Sequence, residues 1–138
     1  IIFYPPQTPD LAGDQFGVSP HTDYGCLTLL WQDHVGGLEL KNIKGDWVKA
    51  LPIEDTLVVN VGDLLMRWTN NVFKSTLHRV INNNLKERHS MVIAWDPNFE
   101  TVVDPSIVCK KGDNPFYPPV CCGEYVLSRF DSSFNYRN

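Results

Sequence analysis

Three residues of this sequence could together hold a metal ion: His21, Asp23 and His78. His21 and Asp23 stand two apart in Ser19-Pro20-His21-Thr22-Asp23-Tyr24-Gly25, which leads into the apolar run 27–31. On a strand, side chains at i and i+2 point to the same face. A strand here would therefore project an imidazole and a carboxylate together. His78 lies in another strand-like run, 75–82, and could add a second imidazole. Two His and one carboxylate on one side of a metal leave the other positions open, which is the ligand set that suits non-heme Fe(II) and O2. For the His-x-Asp pair alone, a surface turn with a solvated or capping Asp is the competing reading.

Arg88 and Ser90 share a face on any strand that carries them. An inward Arg among apolar residues is costly unless an anion meets it. A guanidinium grips a carboxylate through two parallel hydrogen bonds, and the Ser hydroxyl can add a third. A dicarboxylate could thus chelate a metal at one end and bind Arg88 and Ser90 at the other. The competing reading is a rim Arg paired with Glu87. Tyr4 offers either a phenol to an anion in the cavity or a ring packed on the core. Of the remaining histidines, His34 belongs to an exposed turn and His89 points away from the face of Arg88 and Ser90. Arg79 faces outward as an ion-pair partner, and Asp14, Asp46 and Asp63 are turn formers. There is no phosphate-binding Gly-rich loop and no nucleophile elbow.

The elements that must position these residues read mainly as strands. They cover 1–4, 27–31, 38–40, 47–50, 56–61, 75–82 and 88–95, with a Pro-, Gly- and Asp-rich loop over 7–17. Lys44-Gly45-Asp46 makes a hairpin turn. Gly62-Asp63 turns the chain into 64–68, a polar connection covers 82–87, and residues from 99 onward are loop-rich. The segment 123–130 is the one good helix candidate. Many short strands separated by turns predict an all-β sandwich or barrel, best matched by a double-sheet jelly roll.

The 138 residues suffice for one domain with a real core. At 43% hydrophobic and 20% charged residues, the chain is globular rather than disordered. A net charge of −4 without a basic block argues against nucleic-acid or anionic-membrane partners. No apolar run is long enough for a membrane span. Cys26, Cys109, Cys121 and Cys122 match neither a zinc spacing nor a disulfide framework, which fits reduced thiols in the cytoplasm. The opening Ile1-Ile2-Phe3-Tyr4-Pro5-Pro6 has no initiator Met and no charged leader, so the sequence reads as an excised core.

The motifs resemble those of the Fe(II)- and 2-oxoglutarate-dependent dioxygenases of the isopenicillin N synthase-like family. The resemblance runs in order through His21-Thr22-Asp23, Gly37-Leu38-Glu39, Gly45-Asp46-Trp47-Val48 and Val59-Asn60-Val61-Gly62-Asp63. It continues through Trp68-Thr69-Asn70, Ser75-Thr76-Leu77-His78-Arg79-Val80, Arg88-His89-Ser90, Gly123-Glu124-Tyr125 and Arg129-Phe130. Two positions depart from the common pattern. Ile2 stands where many members have Asn, and His89 where Tyr is frequent.

The resemblance implies a double-stranded β-helix (jelly roll) with a short C-terminal helix, spanning 1–138 as the catalytic core. It implies that His21, Asp23 and His78 hold the iron, that Arg88 and Ser90 bind the distal carboxylate of 2-oxoglutarate, and that Tyr4 touches it. The implied reaction hydroxylates or desaturates a small organic molecule with O2, releases succinate and CO2, and needs no catalytic side chain beyond the metal site. Ascorbate would be a supporting reductant, and the protein a monomer. A largely helical N-terminal segment precedes the core in such proteins, so an exposed apolar patch is expected where it would pack. Two alternatives stay open: a 2-oxoglutarate-independent Fe(II) oxidase on the same scaffold, and a non-catalytic metal- or ligand-binding jelly roll.

Overall fold

The computed structural model describes residues 1–7, 16–82, 85–110 and 112–133. Asp14 and most of the expected 7–17 loop lie outside the described residues, as do two positions of the 82–87 connection.

The fold is mostly β with a short C-terminal helix. The strands are β1 (Ile2–Tyr4), β2 (Val18–His21), β3 (Leu27–Gln32), β4 (Leu38–Lys41), β5 (Trp47–Lys49), β6 (Val58–Val61), β7 (His78–Val80), β8 (Arg88–Trp95), β9 (Val102–Val103) and β10 (Val120–Cys121). Two helices, α1 (Asp63–Trp68) and α2 (Cys122–Ser133), complete the set. One four-stranded sheet has the order β1-β8-β3-β6 and another β2-β7-β4-β5, while β9 and β10 pair alone. The hairpin expected around Lys44-Gly45-Asp46 joins β4 to β5, with Leu40 opposite Val48.

Helix α1 lies outside 123–130, the one segment for which the sequence predicts a helix. Leu64, Leu65, Met66, Arg67 and Trp68 lack β-branching and accept helical geometry readily. Asp63 in the first turn complements the helix dipole. Six residues are too few to display a helical period, so pattern alone does not reveal it. Asn70 and Asn71, both at positive φ, end the segment. The tail, expected to be loop-rich, also forms β9, β10 and a 3-10 turn at Pro105–Ile107.

The chain forms two compact units, Ile1–Thr22 with Leu29–Val59 and Thr76–Ile93, and Asp23–Thr28 with Asn60–Ser75 and Ala94–Asn138. The core of the first is Tyr4, Leu30, Leu38 and Val80, with Val18, Ala50 and Val58 packed against it. The core of the second is Cys26, Leu64, Val103 and Cys122, joined by Leu65, Trp68, Val120, Tyr125 and Val126.

Register sorts the side chains of β1 and β8. Ile2, Phe3 and Tyr4 lie opposite Ser90, His89 and Arg88. Cross-strand partners share a face, and Tyr4, Arg88 and Ser90 turn inward and are buried. Phe3 and His89 turn the other way, with their rings 5.3 Å apart. Strand alternation puts Met91, Ile93 and Trp95 on that same outer face, where Ile93 is 58% and Trp95 65% exposed. These side chains leave an exposed apolar surface.

Candidate metal centre

His21 closes β2 and His78 opens β7. The two strands are antiparallel neighbours, and their register sets His21 directly opposite His78. The rings lie 4.2 Å apart between centroids, tilted by 55°. Each ring is oriented by a backbone carbonyl two residues upstream. His21 Nδ1 bonds Ser19 O at 2.8 Å, and His78 Nδ1 bonds Thr76 O at 3.0 Å. A carbonyl can only accept, so each Nδ1 donates, which leaves Nε2 as the ring nitrogen able to bind a metal. Fixing the tautomer in this way is what outer partners do for metal-binding histidines.

Asp23 is not on a strand. The spacing alone predicts His21 and Asp23 projecting from one strand, but β2 ends at His21 and Asp23 lies in the connection to β3. Hydrogen bonds to the segment around α1 hold it instead. The Asp63 N–H donates to Asp23 O at 2.8 Å, and the Gly62 N–H donates to Cys26 O at 2.9 Å. The Asn60 side-chain amide donates to Asp23 Oδ2 at 2.6 Å. Gly62 has no room for a Cβ, which would collide with Gly25 O and crowd Asp23 O. With the loop so held, one ligand atom from each of His21, Asp23 and His78 lies within 4.8 Å of the others. The donor set, two imidazole nitrogens and a carboxylate oxygen, fits Fe(II) with positions left over.

The second half of the site is a buried cation. Arg88 and Ser90 are both 0% exposed. Arg88 Nε donates to Gly36 O, and Nη2 reaches Gln32 Oε1 at 3.4 Å. Gly36 and Gly37 both take positive φ, 76° and 94°, a conformation that suits glycine and shapes the turn carrying that carbonyl. The guanidinium carbon lies 4.4 Å from the centroid of the Tyr4 ring. Among the described residues no acidic side chain pairs with Arg88, so the rim pairing with Glu87 is not what the chain adopts. Arg88 Nη1 and Ser90 Oγ are buried without a partner. Two unsatisfied donors on one strand face, each costing about 1–3 kcal/mol, are what a carboxylate would satisfy. Residues and co-substrate are therefore chemically matched.

Other candidates take structural positions. Arg79 bonds Glu39 at 2.8 Å and lies over the Trp47 ring. His34 is exposed. The backbone N–H of His89 donates to Asp33 Oδ2 at 2.6 Å. Asp63 is more than a turn former: it is buried, accepts from the Tyr125 hydroxyl and sits 3.8 Å from Arg129. Burial, then the Asp63 charge, pushes the Tyr125 phenol up against the opposing pull of Arg129 and Arg67. Burial pushes the Cys26 thiol up to about 11, with Asp96 and Cys122 adding to it, and raises Cys122 as well. All four cysteines carry free thiols, and the two buried ones are inert rather than nucleophilic. A cavity of about 340 Å³ bordered by Gly36, Gly37, Lys49 and Pro52 includes none of the three candidate ligands in its wall.

Sequence reasoning missed Asn60 and Gln32 as site residues. Asn60 did leave a signal. It is an amide within the apolar run 57–61, and such a group needs a partner when buried.

Comparison with known proteins shows the family. The 2OG-Fe(II) oxygenase superfamily matches residues 1–97. The chain is similar to homoarginine-6-hydroxylase 2-ODD-C23 of Glycine max, 48% identical over 88% of this chain and 38% of that protein. It is similar to the 2-oxoglutarate-dependent dioxygenase citB of Monascus ruber, 44% identical over 98% of this chain and 42% of that protein. Among solved structures, a full-length Neurospora crassa protein in complex with alpha-KG superposes with a TM-score of 0.88 at 34% identity, covering 96% of this chain and 43% of that one. The rice dioxygenase for auxin oxidation superposes with a TM-score of 0.81 at 30% identity, covering 95% of this chain and 45% of that one. The chain thus spans about two fifths of the length of the curated relatives it matches.

Proposed function

This chain belongs to the 2OG-Fe(II) oxygenase superfamily, and we propose that residues 1–138 are the catalytic core of an Fe(II)- and 2-oxoglutarate-dependent dioxygenase. On this reading the protein hydroxylates or desaturates a small organic molecule. Its two four-stranded sheets are the halves of a double-stranded β-helix of the isopenicillin N synthase-like type. The exposed face with Met91, Ile93 and Trp95 is the seat of a helical segment that precedes the core. Among the described residues no helix is long and apolar enough to cross a membrane, and four free thiols favour a reducing compartment such as the cytoplasm.

His21, Asp23 and His78 would hold the iron, and Arg88 with Ser90 would hold the distal carboxylate of 2-oxoglutarate. Tyr4 supports the Arg88 guanidinium through its ring face. When bound, iron and 2-oxoglutarate supply the oxidant, consuming O2 and releasing succinate and CO2. The chain's own part is to orient. Ser19 O and Thr76 O accept from Nδ1 of the two imidazoles, which would leave Nε2 to bind the metal. Arg88 and Ser90 are fully buried, so a carboxylate that met them would be held away from bulk water. The relatives carry names of unlike substrates, homoarginine and gibberellin among them, which supports a small organic substrate as a class.

The observation that carries this reading is the pair of buried donors without partners, Arg88 Nη1 and Ser90 Oγ, in a chain that also gathers His21, Asp23 and His78. The test is anaerobic addition of 2-oxoglutarate to the Fe(II)-loaded protein, followed by O2 and assay of succinate. A visible charge-transfer band, succinate release and loss of both in His78→Ala are expected. Turnover without 2-oxoglutarate would point instead to the oxidase alternative. Unchanged iron binding in His78→Ala would overturn the metal assignment.

A further inference from the structure

A carboxylate can bind a metal through one oxygen or through both. Ligation through both takes an extra coordination position, and an iron that must also accept a chelating 2-oxo acid and O2 has none to spare. What decides between the two modes at Asp23 is therefore a functional matter.

The Asn60 amide donates to Asp23 Oδ2 at 2.6 Å. This contact is not required to attach the loop. Backbone bonds already join the same two segments, from Asp63 N–H to Asp23 O, from Leu64 N–H to Gly25 O and from Gly62 N–H to Cys26 O. Gly62 brings the two backbones so close that a Cβ has no space. The loop's position is thus set by main-chain atoms, and the amide acts on the carboxylate itself. Asn60 lies on β6 and its partner's backbone is clamped next to α1, so donor and acceptor both start from fixed points. The donor is also uncharged. A Lys or Arg here would neutralise the carboxylate and weaken it as a ligand, whereas an amide orients it and leaves its charge for the metal.

We infer that Asn60 is a positioning residue that keeps Asp23 a one-oxygen metal ligand by occupying Oδ2, and so preserves the coordination position that the 2-oxo acid takes. This inference rests on the proposed dioxygenase reading. It attributes to Asn60 no contact with substrate or co-substrate.

The test compares wild type with Asn60→Leu, which keeps the branched shape and removes the donor, and Asn60→Ser, which keeps a shorter donor. Three quantities are measured anaerobically: Mn(II) affinity without 2-oxoglutarate, 2-oxoglutarate affinity of the Mn(II)-loaded protein, and the charge-transfer band with Fe(II) and 2-oxoglutarate. Asn60→Leu is expected to bind Mn(II) as well as wild type or better. Its 2-oxoglutarate affinity falls about tenfold, the scale of one hydrogen bond to a charged group, and its band weakens or shifts. Asn60→Ser recovers part of both. If Asn60→Leu fails to fold, Asn60→Ser alone must still weaken 2-oxoglutarate more than Mn(II). Equal 2-oxoglutarate affinity and an unchanged band in the folded variants would overturn the inference, as would a parallel loss of Mn(II) and 2-oxoglutarate binding. If wild type itself binds no Mn(II), the dioxygenase reading fails, an outcome distinct from failure at Asn60.

Discussion

Tyr4 and Arg88 are cross-strand partners on β1 and β8, and the Arg88 guanidinium lies 4.4 Å above the centroid of the Tyr4 ring. The ring belongs to the core of the first unit, so a fully buried cation rests on the hydrophobic core itself. The negative face of an aromatic ring offsets part of the cost of burying the charge. It does nothing for Arg88 Nη1, which stays without a partner.

Arg88→Met should therefore separate stability from binding. Replacing a buried, incompletely paired cation by an apolar side chain of similar length is often neutral or stabilising. The ligand-free melting temperature should hold or rise. The affinity for 2-oxoglutarate should fall by roughly 1.5–3 kcal/mol, the value of a hydrogen bond to a charged group. Arg88→Lys should recover only part of it, because an ammonium lacks the planar fork. Thermal-shift titration with Mn(II) and 2-oxoglutarate reads both effects. An unchanged 2-oxoglutarate shift in Arg88→Met would remove Arg88 from the anion site.

Gly62→Ala should cost stability and metal binding together. The added methyl meets Gly25 O and Asp23 O, backbone atoms that cannot rotate away. Overpacking of this kind costs about 1–3 kcal/mol, and it displaces the loop that carries Asp23. Gly45→Ala is the control: its Cβ meets nothing within 4 Å, but its φ of +90° is strained for alanine. That strain is worth about 1–2 kcal/mol. Urea unfolding and Mn(II) titration should show a stability loss for both variants and a metal defect only for Gly62→Ala.

Alkaline pH should destabilise the chain partly through Cys26. Its folded pKa of about 11 lies above the ordinary 9.0 because burial disfavours the thiolate. A raised pKa contributes stability that is complete below pH 9 and is lost as pH rises through about 11. The difference corresponds to roughly 2–3 kcal/mol. The raised Cys122 and Tyr125 act in the same direction. Unfolding free energies between pH 8 and 11 should differ in slope between Cys26→Ala and wild type, because the variant lacks this titration. Equal slopes would contradict the burial of this thiol.

The outer face of β1 and β8 should bind hydrophobic dye in this chain on its own. Phe3, Met91, Ile93 and Trp95 are all large and exposed there, and contiguous apolar surface of this kind promotes association. Ile93→Thr with Trp95→Thr keeps β propensity while lowering hydrophobicity. Anilinonaphthalene sulfonate fluorescence and light scattering should both drop in the double variant. No change in either would mean that the exposed side chains do not act as a patch.

Much of the site was legible in the residues. Arg88 and Ser90 share a buried face because strand periodicity is two, a purely local rule, and His89 takes the opposite face by the same rule. The hairpin at Gly45 and the strand 27–31 were equally local. Helix α1 was not legible, because Leu64 to Trp68 is too short to show a period. The role of Asp63 was hidden for a related reason. Gly62-Asp63 has turn chemistry in isolation, and only Tyr125 and Arg129, far along the chain, give the carboxylate its partners.

Local sequence suffices for the donor types and the local pairings: two imidazoles, one carboxylate, and an Arg and a Ser two apart. Tertiary structure decided how they meet. His21 faces His78 because β2 and β7 pair in one register, and a one-residue slip would reverse that facing. Asp23 lies in a loop rather than on a strand, held by bonds to Asn60 and Asp63. Register and loop clamping depend on hydrogen bonds and burial between segments distant along the chain, and those are energies that no local run of residues contains.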